Sequence, residues 1–146
     1  MKRAIMEAFY NNYILILNEA NNHPTSESID KFDEFYSPKL VVHQFMPSSL
    51  GGTVTLNRDE WKDLMFQAHL KVKETLQTNQ LVIDPDTKKM AAQQALEFSD
   101  YETGETIASM DAIAIYSLEQ VEGRLRIAGL QLMVSDPGAL PSPSSE

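Results

Sequence analysis

Apolar residues fall at Ile5, Phe9, Tyr13, Ile16 and Ala20, a helical spacing that predicts a first helix over residues 3–21. Asn21-Asn22-His23-Pro24 stops it and leaves His23 in a solvated turn. A second, shorter helix follows from a Thr25 or Ser26 cap, with Ile29, Phe32 and Phe35 or Tyr36 turned inward. Pro38 closes it, because the residue before a proline avoids the helical region. Leu40-Val41-Val42-His43-Gln44-Phe45-Met46 reads as a strand ended by Pro47, and Ser48-Ser49-Leu50-Gly51-Gly52 as a loop suited to covering the mouth of a pocket. Asn57-Arg58-Asp59-Glu60 has the form of a capping box and opens a third helix. Trp61, Leu64, Met65, Ala68 and Val72 form its buried stripe, which leaves His69 off-centre and exposed.

After Leu76 the period changes from helical to alternating. Strands are expected at residues 80–83, 89–98, 106–118 and 124–134. Asp84-Pro85-Asp86-Thr87, the Gly104 region and Val121-Glu122-Gly123 supply the turns between them. The order α-α-β-α-β-β-β-β predicts an α+β domain over residues 1–134, with three N-terminal helices packed on a strongly curved, mostly antiparallel sheet. Such a sheet leaves a cone-shaped pocket between itself and the helices, the default place for a small molecule. The Pro- and Ser-rich residues 135–146 are expected to form a flexible tail.

Composition narrows the chemistry. The length of 146 residues suits a single domain, and its net charge of −9 argues against nucleic acid as a partner. No apolar run is long enough to suggest a membrane span, and the N-terminal stretch lacks a signal-peptide core, so a cytoplasmic location is expected. There is no cysteine, and the three histidines are too scattered for metal-ligand spacing. Without a nucleotide or phosphate motif either, any chemistry is expected to be cofactor-independent.

The candidates for chemistry are polar residues inside apolar strands. His43 shares a strand face with Val41 and Phe45, and is either a satisfied core residue or an acid–base group in a pocket. Asp111 shares a face with Ile107, Ser109, Ile113 and Ile115. It is either a buried carboxyl group with a raised pKa or an Asp bonded to a helix end, or one on an exposed or dimer-facing side. Gln131, two residues after Gly129, is placed to orient a ligand carbonyl or to pair across the sheet. Tyr116 adds a proton donor, and Phe45, Trp61 and Met65 supply apolar pocket wall. Glu60 is explained by capping alone. His43 and Asp111 are thus the candidate catalytic pair, with Gln131, Tyr116, Phe45, Trp61 and Met65 binding substrate. Because both faces of the strand over residues 106–118 are apolar, the outer face of the sheet is expected to join a homodimer.

The order of elements resembles the nuclear transport factor 2-like superfamily, which includes SnoaL-like polyketide cyclases, scytalone dehydratase and ketosteroid isomerase. The likeness spans residues 1–134. Val42-His43-Gln44-Phe45-Met46-Pro47-Ser48-Ser49-Leu50-Gly51 is similar to a segment common in small fungal SnoaL-like proteins, and Val82-Ile83-Asp84 and Leu132-Met133-Val134-Ser135 fall where that group has related strand ends. The resemblance implies a cone-shaped pocket, often in a homodimer, and a cofactor-independent isomerase or cyclase acting on a hydrophobic polyketide- or terpenoid-derived intermediate of secondary metabolism. A non-catalytic module of the same fold, binding a small molecule or a partner, is the alternative. His43 matches the strand histidine, and Asp111 falls near a fourth-strand Glu. Gln131 stands where the group often has Glu, and Tyr36-Ser37-Pro38-Lys39 replaces its arginine before the first strand.

Overall fold

The computed structural model describes residues 1–46 and 52–135. Helix α1 (Arg3–Asn22) is followed by a short helix α2 (Ser26–Asp30) and a 3-10 turn (Lys31–Glu34). Strands β1 (Tyr36–Phe45) and β2 (Thr53–Asn57) precede helix α3 (Arg58–His69). Four long strands complete the domain: β3 (Val72–Asp84), β4 (Lys89–Asp100), β5 (Thr106–Val121) and β6 (Arg124–Ser135). The six strands form one sheet in the order β2-β1-β6-β5-β4-β3, in which only the β1–β6 pair is parallel. Three helices thus pack on a curved, unclosed and mostly antiparallel sheet, the α+β class expected. Among the described residues no helix is long and apolar enough to cross a membrane.

Local chemistry accounts for most boundaries. Asn57 Oδ1 accepts from the Glu60 amide while Glu60 Oε1 accepts from the Asn57 amide, both at 2.9 Å, so the capping box forms as read. Glu122 and Gly123 both have positive φ (52° and 79°), the backbone of a tight hairpin turn between β5 and β6, and glycine takes the second position without a Cβ clash.

Three boundaries differ from the sequence expectation. Pro38 does not end a helix but sits inside β1. The β1–β6 register shifts between Tyr36 and Val41, so the missing proline N–H falls where the ladder is already irregular. Beside it the buried Ser37 hydroxyl donates to the Glu119 carboxylate. Strand β2 was not foreseen; its five residues pair with β1 from Phe45↔Thr53 to Val41↔Asn57. Finally, α3 ends at His69 and Val72 already belongs to β3, whose outward residues Thr75, Gln77 and Asn79 are polar and exposed. The expected loop over residues 47–51 and the tail after Ser135 lie outside the described residues.

The core is aromatic. Tyr13 of α1 meets Phe32, Phe35, Tyr36 and Tyr116 with ring centroids 5.7–6.3 Å apart. The Tyr13 and Tyr36 hydroxyls lie 2.7 Å apart, and Trp61 Nε1–H donates to Tyr36 at 3.0 Å, so buried polar atoms are paired inside the cluster. Helix α1 is fastened to the free edge of β3 by amides. Asn18 Nδ2 donates to the Leu76 carbonyl (3.0 Å), the Leu76 amide donates to Asn18 Oδ1 (2.8 Å), and Asn22 Nδ2 donates to the Glu74 carbonyl (3.2 Å). Asn18→Ala removes both bonds to Leu76 and is expected to cost about 2–3 kcal/mol. Asn57→Ala, at an exposed cap, is expected to cost only about 1 kcal/mol. Urea unfolding of the two variants checks the difference; equal losses would mean that the edge bonds contribute no more than a surface cap.

Candidate active site

A cavity of about 430 Å³ lies between the inner face of the sheet and helices α1 and α3. Its wall is mostly apolar. The inward residues of β1 are Leu40, Val42 and Gln44, and those of β6 are Leu130, Leu132 and Val134; of these, Gln44 and all three β6 residues line the cavity. Trp61, Met65, Leu64 and Ala68 close it from α3, and Tyr13 and Leu17 from α1. Met46 and Gly52, which flank residues 47–51, also line it.

The ionisable chemistry of the cavity sits on β3 and at the end of α3. Glu74, Leu76 and Thr78 alternate onto the inward face of β3. The Glu74 residue is only half-buried as a whole, but its carboxyl group is enclosed, and desolvation raises its pKa from 4.5 to about 7. Asn21 Nδ2 donates to Glu74 Oε2 at 3.0 Å and holds the carboxyl group in place. His69 is buried, and desolvation lowers its pKa, so the ring is neutral at pH 7. Its Nδ1 lies 3.1 Å from the Val72 carbonyl, which accepts the Nδ1 proton and leaves Nε2 as the unprotonated nitrogen.

Further along the wall, Gln94 Nε2 donates to the hydroxyls of Tyr10 and Tyr116, each at 3.1 Å. Tyr10 in turn lies 2.7 Å from Thr78 Oγ1. Burial pushes the Tyr116 hydroxyl well above its ordinary pKa, so it is a neutral hydrogen-bond donor and not a source of phenolate. Among the described residues no group of three or more His, Cys, Asp or Glu is placed to hold a metal ion.

The residues singled out from the sequence divide between two faces. Tyr116, Trp61 and Met65 stand on the cavity wall. His43, Phe45, Gln131 and Asp111 occupy the opposite, outer face of the sheet, because alternation gives the inward face to Val42, Gln44, Leu130, Leu132, Ala112 and Ala114. His43 and Gln131 are direct neighbours in register, and His43 Nδ1 lies 3.2 Å from Thr55 Oγ1. Asp111 pairs with Ser135, four residues beyond Gln131, or about 13 Å along the strands. His43 and Asp111 are therefore not brought together.

His69, expected to be exposed, lines the cavity. Glu74, Asn21 and Gln94 carried no signal in the sequence reading. Starting the third strand at Val72 would have revealed Glu74 on a face shared with Leu76.

No protein-family model matches the chain, and no curated protein matches it. Solved structures do. AusH from Aspergillus nidulans superimposes with a TM-score of 0.68 at 15% identity, over 92% of this chain and 86% of that one. The BvnE pinacolase from Penicillium brevicompactum gives 0.69 at 13% identity, over 91% and 87%. A SnoaL-like polyketide cyclase from Agrobacterium tumefaciens gives 0.62 at 12% identity, over 92% and 93%. At these identities the likeness is one of architecture, and together with the sheet order and the cavity it establishes that the chain has the SnoaL-like fold.

Proposed function

We propose that the protein is a cofactor-independent isomerase or cyclase that moves a proton on a hydrophobic carbonyl compound held in the cavity, with Glu74 as the group that carries the proton. The observation behind this reading is a carboxyl group enclosed in an apolar cavity with a pKa of about 7. A base poised near neutrality combines a large ionised fraction with proton affinity, the compromise that general acid–base catalysis favours. Ionised Glu74 removes a proton from a carbon next to the substrate carbonyl and returns it at another carbon, which completes an isomerisation without any second reactant. Asn21 spends one amide hydrogen on Glu74 and has a second for the developing enolate oxygen. Neutral His69 supplies an acceptor for a substrate hydroxyl, and Trp61 and Met65 exclude water.

This reading assigns the proton transfer to Glu74 in place of His43 and Asp111, which are on the outer face. Within this proposal the substrate is a polyketide- or terpenoid-derived intermediate of secondary metabolism; the polyketide part is supported by the name borne by one similar structure, a polyketide cyclase.

We also assign the outer face to a homodimer contact. Val41, Phe45 and Met133 are 36–42% exposed there beside the half-buried Ile113 and Ile115, and a two-fold contact covers the same apolar patch on both copies. His43 and Gln131 then belong to that interface. Light scattering is expected to give twice the 16.4 kDa chain mass, and a clean monomer at micromolar concentration would remove the assignment.

Two measurements test Glu74. Folding raises its pKa, so the folded state holds the proton more tightly, and stability falls as pH rises from about 4.5 to about 7. Glu74→Gln removes that penalty. Its thermal midpoint should match the wild type at pH 4 and exceed it at pH 8, by the equivalent of on the order of 3 kcal/mol at most.

The second measurement follows hydrogen–deuterium exchange at the carbon beside the carbonyl of 2-tetralone, an apolar bicyclic ketone. The wild type should accelerate exchange, with a rate that rises about tenfold per pH unit and levels above pH 7, and Glu74→Gln should lose roughly 10²–10⁴-fold. The stability change without any exchange would instead identify a non-catalytic binding module of the same fold.

A further inference from the structure

Apart from Gln44 on β1 and the Tyr13 hydroxyl and Trp61 N–H, both paired with Tyr36, the polar groups on the cavity wall gather at two ends. One end holds Glu74, Asn21 and His69, tied together by the Asn21–Glu74 bond and by the His69 bond to Val72, two residues before Glu74. The other holds Gln94 and Tyr116, with Gln94 Nε2 donating to the hydroxyls of both Tyr116 and Tyr10. Sheet register sets the separation. Thr78 pairs with Gln94, and Glu74 precedes Thr78 by four residues on the same face of β3, which is about 13 Å along a strand.

Between the ends the wall is apolar. Leu76 and Leu96 are cross-strand neighbours there, and Leu17 and Met65 line the same cavity from the helices. Each end also carries a buried side-chain carbonyl oxygen, Asn21 Oδ1 and Gln94 Oε1, that finds no partner among the described residues. Unpaired buried acceptors are costly in a core, and here both belong to side chains of the cavity wall. Among the described residues the Tyr116 hydroxyl makes one hydrogen bond, accepted from Gln94, so its own proton is available to a guest.

We propose that the ligand of this cavity is an elongated apolar molecule with an oxygen function at each end, one meeting Glu74 and the other meeting Tyr116. The proposal rests on the cavity being the working site and adds the shape and polarity of its guest. Chemistry is confined to the Glu74 end. At the Tyr116 end the guest oxygen accepts the hydroxyl proton and fixes which carbon is presented to Glu74, so that remote binding sets the position of reaction.

Binding, not turnover, tests this. Trp61 is the only tryptophan in the sequence and lines the cavity, so its fluorescence reports occupancy directly. The probes are biphenyl, 4-hydroxybiphenyl and biphenyl-4,4′-diol, which add oxygens one end at a time to one apolar frame. Affinity should rise along the series by about tenfold per hydroxyl, as one added hydrogen bond allows.

Tyr116→Phe should bring the diol down to the affinity of 4-hydroxybiphenyl and leave biphenyl unchanged. A diol that binds no tighter than the mono-hydroxy compound overturns the proposal, as does a diol advantage that survives Tyr116→Phe. The wild-type series decides the matter even if that variant fails to fold. Equal binding by all three probes sinks the two-ended ligand but leaves Glu74-dependent exchange on 2-tetralone untouched. Binding by none of them overturns both the ligand and the cavity as a binding site.

Discussion

The architecture depends on how the free edge of β3 is closed. An exposed strand edge is a row of unpaired amides and carbonyls, and a sheet with such an edge invites another strand. Here the Asn18 amide takes the place of a neighbouring strand, accepting from Leu76 N–H and donating to its carbonyl, and Asn22 covers the carbonyl of Glu74. The same three bonds fix α1 over the sheet. They bring Asn21, the residue between them, against the Glu74 carboxyl group, so edge protection and the geometry of the site come from one turn of one helix. A hydrophobic contact alone would leave α1 free to slide along β3. Paired donor and acceptor on a single backbone position do not.

The cavity is kept at a cost. A desolvated carboxyl group that must ionise near neutrality weakens the fold above its pKa, and two side-chain oxygens stay unpaired. The aromatic cluster beside it has the opposite character. There Tyr13, Tyr36 and Trp61 satisfy one another, and burial pushes the Tyr36 hydroxyl up to about 12, so nothing in the cluster titrates in the working range. The paired cluster joins α1, the 3-10 turn, β1 and the start of α3, while the desolvated carboxyl group and the unpaired oxygens sit on β3, α1 and β4 where these face the cavity. That division lets an enclosed acid exist beside a cluster whose own buried polar atoms are paired.

Much of the fold was legible because local chemistry and tertiary structure agree. The capping box at Asn57, the hairpin turns at Asp84–Thr87 and Glu122–Gly123, and the long alternating strands follow rules that need no partner. The misreadings around β3 have a common cause. Strand β3 is an edge strand with a polar outward face, so Leu76 is the lone apolar residue between Val72 and Leu81 and alternation shows little contrast, while the helical spacing before it extends to Val72. With β3 begun too late, Glu74 fell in a helix end and His69 on a surface. Pro38 has a separate cause: a proline signals a helix end in sequence, yet the irregular β1–β6 register between Tyr36 and Val41 accommodates it inside a strand.

The assignment of His43 turned on parity, and parity could not be read from composition. In β1 the sets Leu40, Val42 and Val41, Phe45 are equally apolar; helices α1 and α3, and no property of the strand, decide which set faces the cavity. A subtler signal lay in β4 and β5. Ala92, Ala112 and Ala114 are fully buried, while Ile107 is exposed and Ile113 and Ile115 are half-buried on the other face. A sheet that meets its helices across a filled core puts its bulk inward. On β5 this sheet puts Ala112 and Ala114 inward and Ile113 and Ile115 outward. The bulk on its concave face comes from Met90, Gln94, Leu96 and Phe98 of β4 and Tyr116 and Leu118 of β5, of which Gln94, Leu96, Phe98 and Tyr116 line the cavity. Small residues inside and branched ones outside are what a sheet needs if its concave face is to enclose a guest and its convex face is to be covered by another surface.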